Sequence, residues 1–302
     1  MRALTPFFLA AAVTFGASAA QAESTPLVDA DWLHGNLDRD DVVVLDVRSA
    51  IDGGSVETFA EGHVPGAVYS NYLEAGWRSE RDGIPGQLPP VEDLESLIGE
   101  LGISNEDHVV VVAAGTSALD MGSATRVYWT FKVLGHDRVS VLDGGLKGYA
   151  DAYDLANGAS TTEPATFTAD FRPEMVVSRE SVAEALQNGT ALMDNRPEAQ
   201  YRGEGKHDAA LHAGTIPQSR NLPESKLTVE GGQFVDATEI SRLLAEAGLN
   251  AGEDTIAFCN TGHWASLGWF AQHELLGDES VRVYDGSMVE WTNRNGETIV
   301  PQ

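Results

Sequence analysis

The sequence predicts an α/β protein of two tandem domains, each a mainly parallel sheet with helices on both faces. Three observations carry this. Apolar runs of strand length alternate with helical stretches, the pattern of the first half returns in the second, and 302 residues suffice for two ordinary cores. The strands are continuously apolar rather than alternating, as expected for sheets covered on both sides.

The elements follow in order. Residues 1–22 read as an export signal, with Arg2 at the start, an apolar run from Phe7 to Val13 and the small-x-small site Ala20-Gln21-Ala22. A membrane span needs about 20 apolar residues, whereas this run breaks at Thr14, Gly16 and Ser18. Cleavage and a periplasmic, soluble mature chain are therefore expected. The first domain is expected over 23–155. Within it Val42 to Val47 forms a strand whose end carries Asp46-x-Arg48, followed by the turn Gly62-His63-Val64-Pro65-Gly66-Ala67. A buried strand from Asp107 to Ala114, a Gly/Ser loop, a helix from Ala124 to Leu134 and a strand from Val139 to Gly145 complete it.

Residues 150 to 175 are rich in Ala, Thr, Gly, Asp and Pro without a period, and a linker is expected at 156–175. The second domain, 176–302, opens with Ser178 placed to cap a helix. Ala191 to Arg196 repeats the Asp-x-Arg strand end, and Gly214-Thr215-Ile216-Pro217-Gln218-Ser219 answers the first turn. Thr255 to Cys259 is the second buried strand, Ser266 to Leu276 its helix, and Val281 to Ser287 the closing strand, ending Asp-Gly-Ser where the first copy has Asp-Gly-Gly.

With 46 acidic against 19 basic residues the net charge is −27, which repels nucleic-acid phosphates and anionic lipid. Neither is an expected partner. Cys259 is the only cysteine, so no intramolecular disulfide can form and the thiol is free or paired outside the chain. Of the two roles open to it, inert hydrophobe or reactive thiol, its place favours the second. It ends a parallel strand, where ligands of α/β sheets bind, and a short loop into a helix turns backbone N–H groups toward one point. Such a cradle favours a thiolate.

These motifs, in their order and in two copies, resemble the tandem-domain rhodanese family of sulfurtransferases over nearly all of the mature chain. The resemblance implies a silent first domain, with Ala114 near the position of Cys259, and an active second one. It implies that the Cys259 thiolate takes the outer sulfur of thiosulfate as a persulfide and passes it to cyanide or a thiol. 3-Mercaptopyruvate is the alternative donor, a sulfur-accepting protein the alternative partner, and a protein-to-protein sulfur carrier or binding module the alternative role. The loop residues Asn260, Thr261, Gly262, His263 and Trp264 are expected to bind the donor. Asn260 and Thr261 are neutral where thiosulfate-using members carry basic residues, which leaves His263 as a source of charge or a proton. Arg196 has two candidate roles, donor binding or an ion pair with Asp194, and its strand-end position favours the donor. Asp194, Asp46 and Arg48 are expected to be structural, and Trp269 to be packing.

A cysteine phosphatase requires an arginine six residues after the cysteine, but position 265 is Ala. His207, Asp208 and His212 lack a further ligand at metal-binding spacing. No nucleotide or flavin fingerprint is present, so neither metal nor cofactor is expected.

Overall fold

A computed structural model describes residues 24–301, and the export signal expected at 1–22 lies outside the described residues. The first half forms β1 (Leu27–Val28), α1 (Ala30–Asn36), β2 (Val42–Asp46), α2 (Val56–Glu61), β3 (Val68–Tyr69), a hairpin of β4 (Ser79–Arg81) and β5 (Ile84–Gln87), α3 (Val91–Glu100), β6 (His108–Val112), α4 (Ala118–Val133), β7 (Val139–Leu142) and α5 (Gly145–Ala150). The second forms β8 (Val176–Val177), α6 (Arg179–Asn188), β9 (Ala191–Asp194), α7 (Glu198–Tyr201), β10 (Arg220–Asn221), α8 (Ala237–Ala247), β11 (Thr255–Phe258), α9 (His263–Trp269), β12 (Val281–Tyr284) and α10 (Ser287–Asn293).

Both five-stranded sheets are parallel and share one topology. The order is β1-β7-β6-β2-β3 in the first and β8-β12-β11-β9-β10 in the second. Successive residues of one strand feed opposite faces. Val110 and Val112 pack with Leu33, Phe59 and Tyr149, while Val109 and Val111 pack with Leu94, Ile98 and Phe131. In the second domain Ile256 and Phe258 face Val182, Met288 and Trp291, and Ala257 belongs with Leu243, Leu267 and Phe270.

The two inner faces form one continuous core where α4 meets α9. α4 is buried at every position except Leu119 and Lys132, which is why its sequence shows no amphipathic stripe. It starts at Ala118, ahead of the expected Ala124, because Ser117 and Asp120 form a reciprocal capping box. α9 likewise starts at His263 instead of Ser266, and a π-helical turn over Phe270–Leu275 follows it. Ser178 caps α6 by accepting from the Ser181 N–H.

An approximate two-fold relation governs the interface. The Asp that follows each closing strand accepts a backbone N–H from the other domain: Asp285 from Leu88 at 2.6 Å, and Asp143 from Phe234 at 2.9 Å. The segment at 156–175 carries no sheet strand but is tied along the first domain. Ala165 N donates to Gly99 O, Asp170 N to Leu134 O and Arg172 N to Val133 O, and Phe167 is buried against Phe131. Backbone hydrogen bonds and one buried aromatic together hold a segment that composition alone reads as a spacer.

Candidate active site at Cys259

Strand register aligns the two copies. Asp46 pairs with Val112 and Asp194 with Phe258, so the residue matching Cys259 is Ala113, and Ala114 matches Asn260. This corrects the expected Ala114 by one position. The neighbouring bonds agree: Leu146 N donates to Ala113 O as Met288 N donates to Cys259 O. An alanine stands at the nucleophile's place under either alignment, so the first copy has no thiol.

Cys259 is 1 % exposed and lines a cavity of about 150 Å³, together with Ile51, Arg78, Leu119, His207, Asn260, Thr261, His263 and Trp264. The thiol is therefore buried against a cavity wall and not within packed core alone. That volume is room for about five waters, the scale of a small oxyanion. Larger cavities exist elsewhere, but none of them is lined by the cysteine.

Ser287 organises the loop from below. Its Oγ accepts from Cys259 N at 3.0 Å and Gly262 N at 3.2 Å, and donates to Tyr284 O at 2.8 Å. Its φ of 49° is strained for a non-glycine residue, and satisfying two buried amides with one hydroxyl offsets that cost. Gly262 has φ 76°, and a side chain there would collide with the Arg126 guanidinium and the Asp285 carboxylate, the buried ion pair beneath the loop at 2.5 Å. The N–H groups of Asn260, Thr261, His263, Trp264 and Ala265 have no protein acceptor among the described residues.

The matching loop of the first domain is filled from within. The Asp120 carboxylate accepts from the N–H groups of Gly115 (2.6 Å), Thr116 (3.1 Å) and Ser117 (2.7 Å), and from the Thr116 and Ser117 hydroxyls. The same strand-loop-helix turn thus holds a carboxylate in one copy and leaves its amides open in the other. Backbone N–H groups converging at a helix start favour an anion.

The expected donor-binding residues are distributed as follows. Asn260 donates from Nδ2 to Gln200 Oε1 at 2.8 Å, and Thr261 accepts from Arg78 through Oγ1 (2.7 Å) and O (3.0 Å). His263 is not the expected charge source. Its Nδ1 accepts from the Tyr72 hydroxyl at 2.9 Å, its Nε2–H donates to Leu119 O at 2.8 Å, and burial first, then Arg78, pushes its pKa down to about 3. Burial also raises the Tyr72 pKa, keeping that hydroxyl a donor. His263 is a neutral strut between the domains. Trp264 is half-buried on the cavity wall, whereas Trp269 is fully buried and donates to Val281 O.

Arg196 does not line this cavity. It is 1 % exposed, with Nε donating to Asp194 at 2.9 Å and Nη2 donating to Asp194 at 2.6 Å and to Gly214 O at 2.9 Å. Arg48 makes the same contacts to Asp46 and Gly62 O in the first domain, so the arrangement ties each strand end to its Gly-x-x-Pro turn. Of the histidines weighed for a metal, His207 sits on the cavity wall while His212 is exposed. Sequence reasoning missed Arg78 altogether; it precedes β4 by one residue and lies 183 positions from Thr261.

The comparisons agree with this architecture. The family model described as "Rhodanese-like domain" matches twice, at 29–152 and 178–294. A Haloferax volcanii protein provisionally named a thiosulfate sulfurtransferase is 32% identical, covering 90% of this chain and 95% of its own. Thiosulfate/3-mercaptopyruvate sulfurtransferase 2 of Arabidopsis thaliana is 30% identical, covering 91% and 86%. The crystal structure of the 3-mercaptopyruvate sulfurtransferase SseA of Escherichia coli superposes with a TM-score of 0.77 at 30% identity, covering 87% of this chain and 99% of that one. With two matching domains, one shared topology and a single cysteine at the end of the second copy's central strand, the chain belongs to the tandem-domain rhodanese family of sulfurtransferases.

Proposed function

We propose that the protein transfers sulfane sulfur from thiosulfate to a small thiophilic acceptor through a persulfide on Cys259. The supporting observation is the set of open amides of Asn260, Thr261, His263, Trp264 and Ala265, beside a thiol on a cavity wall, where the first copy fills the same turn with Asp120. In the first step the Cys259 thiolate attacks the outer sulfur. A new S–S bond forms to Cys259, and the old one breaks with its electron pair leaving on sulfite. In the second step cyanide or a thiolate attacks the outer persulfide sulfur, and the pair of the Cys259 S–S bond returns to the cysteine as thiolate. Both forms of the enzyme carry an anion at the loop, which is what preorganised N–H groups stabilise without reorganising.

3-Mercaptopyruvate is the alternative donor, and a protein thiol the alternative acceptor. The start of the chain supports export to the periplasm with removal of 1–22. Steady-state kinetics with each donor and cyanide test the reading. A ping-pong pattern with thiosulfate, lost in Cys259→Ser, is the expected result. A stable persulfide without turnover would favour a protein-to-protein carrier, and activity retained in Cys259→Ser would overturn the nucleophile.

A further inference from the structure

Four neutral groups of the second domain line the cavity beside Cys259: Asn260, Thr261, His263 and Trp264. His207, also on the wall, has its basicity lowered by burial first. The permanent positive charge on that wall comes from the other domain. Arg78 is half-buried just before the β4–β5 hairpin, which reaches across the interface so that Gly86 lies against Thr261.

Three features together set Arg78 apart from the other guanidiniums, the first of them shared with Arg81, Arg179 and Arg294. It has no carboxylate partner among the described residues, in a chain where acidic groups outnumber basic ones by more than two to one. Its Nε donates to Gly86 O and its Nη2 to Thr261, which fixes the plane of the group, while Nη1 keeps no protein acceptor among the described residues. The Tyr72 ring, 5.5 Å from its Cζ, backs it from the side that also orients His263. A rigid cation with a free N–H edge on a cavity wall is built to receive an oxyanion.

We infer that Arg78 is the specificity-determining residue for the donor: the silent first domain supplies the charge that admits an anionic sulfur donor into a strongly acidic protein, at a loop whose own side chains are neutral. The inference rests on Cys259 being the nucleophile, and it identifies the donor class as small oxyanions. Sequence distance hides it, because the residue that compensates for the neutral Asn260 and Thr261 belongs to the other half of the chain.

The test uses the full chain and two alkylating probes, anionic iodoacetate and neutral iodoacetamide, each rate on Cys259 being normalised to that of free 2-mercaptoethanol. In the wild type iodoacetate is expected to outpace iodoacetamide by about tenfold or more after normalisation, with the advantage shrinking as NaCl rises. Arg78→Gln is expected to abolish that preference and Arg78→Lys to restore most of it. A merely structural role for Arg78 would change both rates together. An unchanged preference in a folded Arg78→Gln, or a wild type with no salt-sensitive preference, overturns the inference while leaving Cys259 as nucleophile. A wild-type Cys259 inert to both reagents overturns the nucleophile, and the inference with it. Should Arg78→Gln fail to fold, the wild-type salt dependence and Arg78→Lys decide the matter by themselves.

Discussion

Replacing Asp120 with Ala tests whether the rhodanese turn is an anion site by emptying the copy that carries its own anion. Asp120 is 1 % exposed and accepts three backbone and two hydroxyl hydrogen bonds from Gly115, Thr116 and Ser117. Thr116 and Ser117 are exposed and can turn to water, whereas Gly115 is buried and cannot. A stranded buried amide costs about 1–3 kcal/mol, and lost bonds to a charged acceptor add a similar amount, so about 3 kcal/mol is expected. For a protein of this size that lowers Tm by roughly 6–12 °C. Sulfate should then occupy the vacated cradle. At ten times its dissociation constant it returns about 1.4 kcal/mol, a gain in Tm of a few degrees beyond the general salting effect seen in the wild type. Thermal unfolding followed by circular dichroism, with sulfate titrated into both proteins, measures this. A variant melting within about 2 °C of wild type, or one gaining no more from sulfate than wild type does, would show that the turn is not an anion site.

Other consequences follow from the same structure. His263 has a folded pKa of about 3 against an ordinary 6.5, so the unfolded chain binds the extra proton in that window; its contribution is fully present above pH 6.5 and lost as pH falls toward 3. At pH 5 the loss is about 2 kcal/mol, and His263→Gln should show a correspondingly smaller drop in Tm between pH 7 and pH 5. Arg196→Met leaves the buried Asp194 carboxylate unpaired and should cost about 3–5 kcal/mol in denaturant unfolding, with KM for thiosulfate unchanged in the folded fraction; a raised KM without destabilisation would return Arg196 to donor binding. Intact mass of protein secreted from a bacterial host should place the mature N-terminus at Glu23, and retention of Met1 would contradict export processing.

The repeat was readable because strands buried on both faces must be continuously apolar, and because each copy ends its strands with the same Asp-x-Arg and Asp-Gly signals. Those pairs tie strand ends in both domains, and for that reason Arg196 looked like a donor ligand but is a brace. The start of α4 was legible in principle from Ser117-x-x-Asp120, yet the same aspartate also fills the loop, a role no spacing announces. What sequence reasoning could not reach were contacts between domains. The neutrality of His263 depends on Tyr72 and Leu119, and the charge beside Thr261 on Arg78. Each of these partners lies more than a hundred residues away, and burial at the interface sets the protonation of His263 more than its own chemistry does.

The intact mass of the protein after exposure to thiosulfate and removal of excess reagent reads out the proposed persulfide on Cys259. The chemistry described here requires a gain of one sulfur atom, located to Cys259 by peptide mapping and discharged by cyanide with release of thiocyanate. No gain in mass, or a gain that persists in Cys259→Ser, would contradict it.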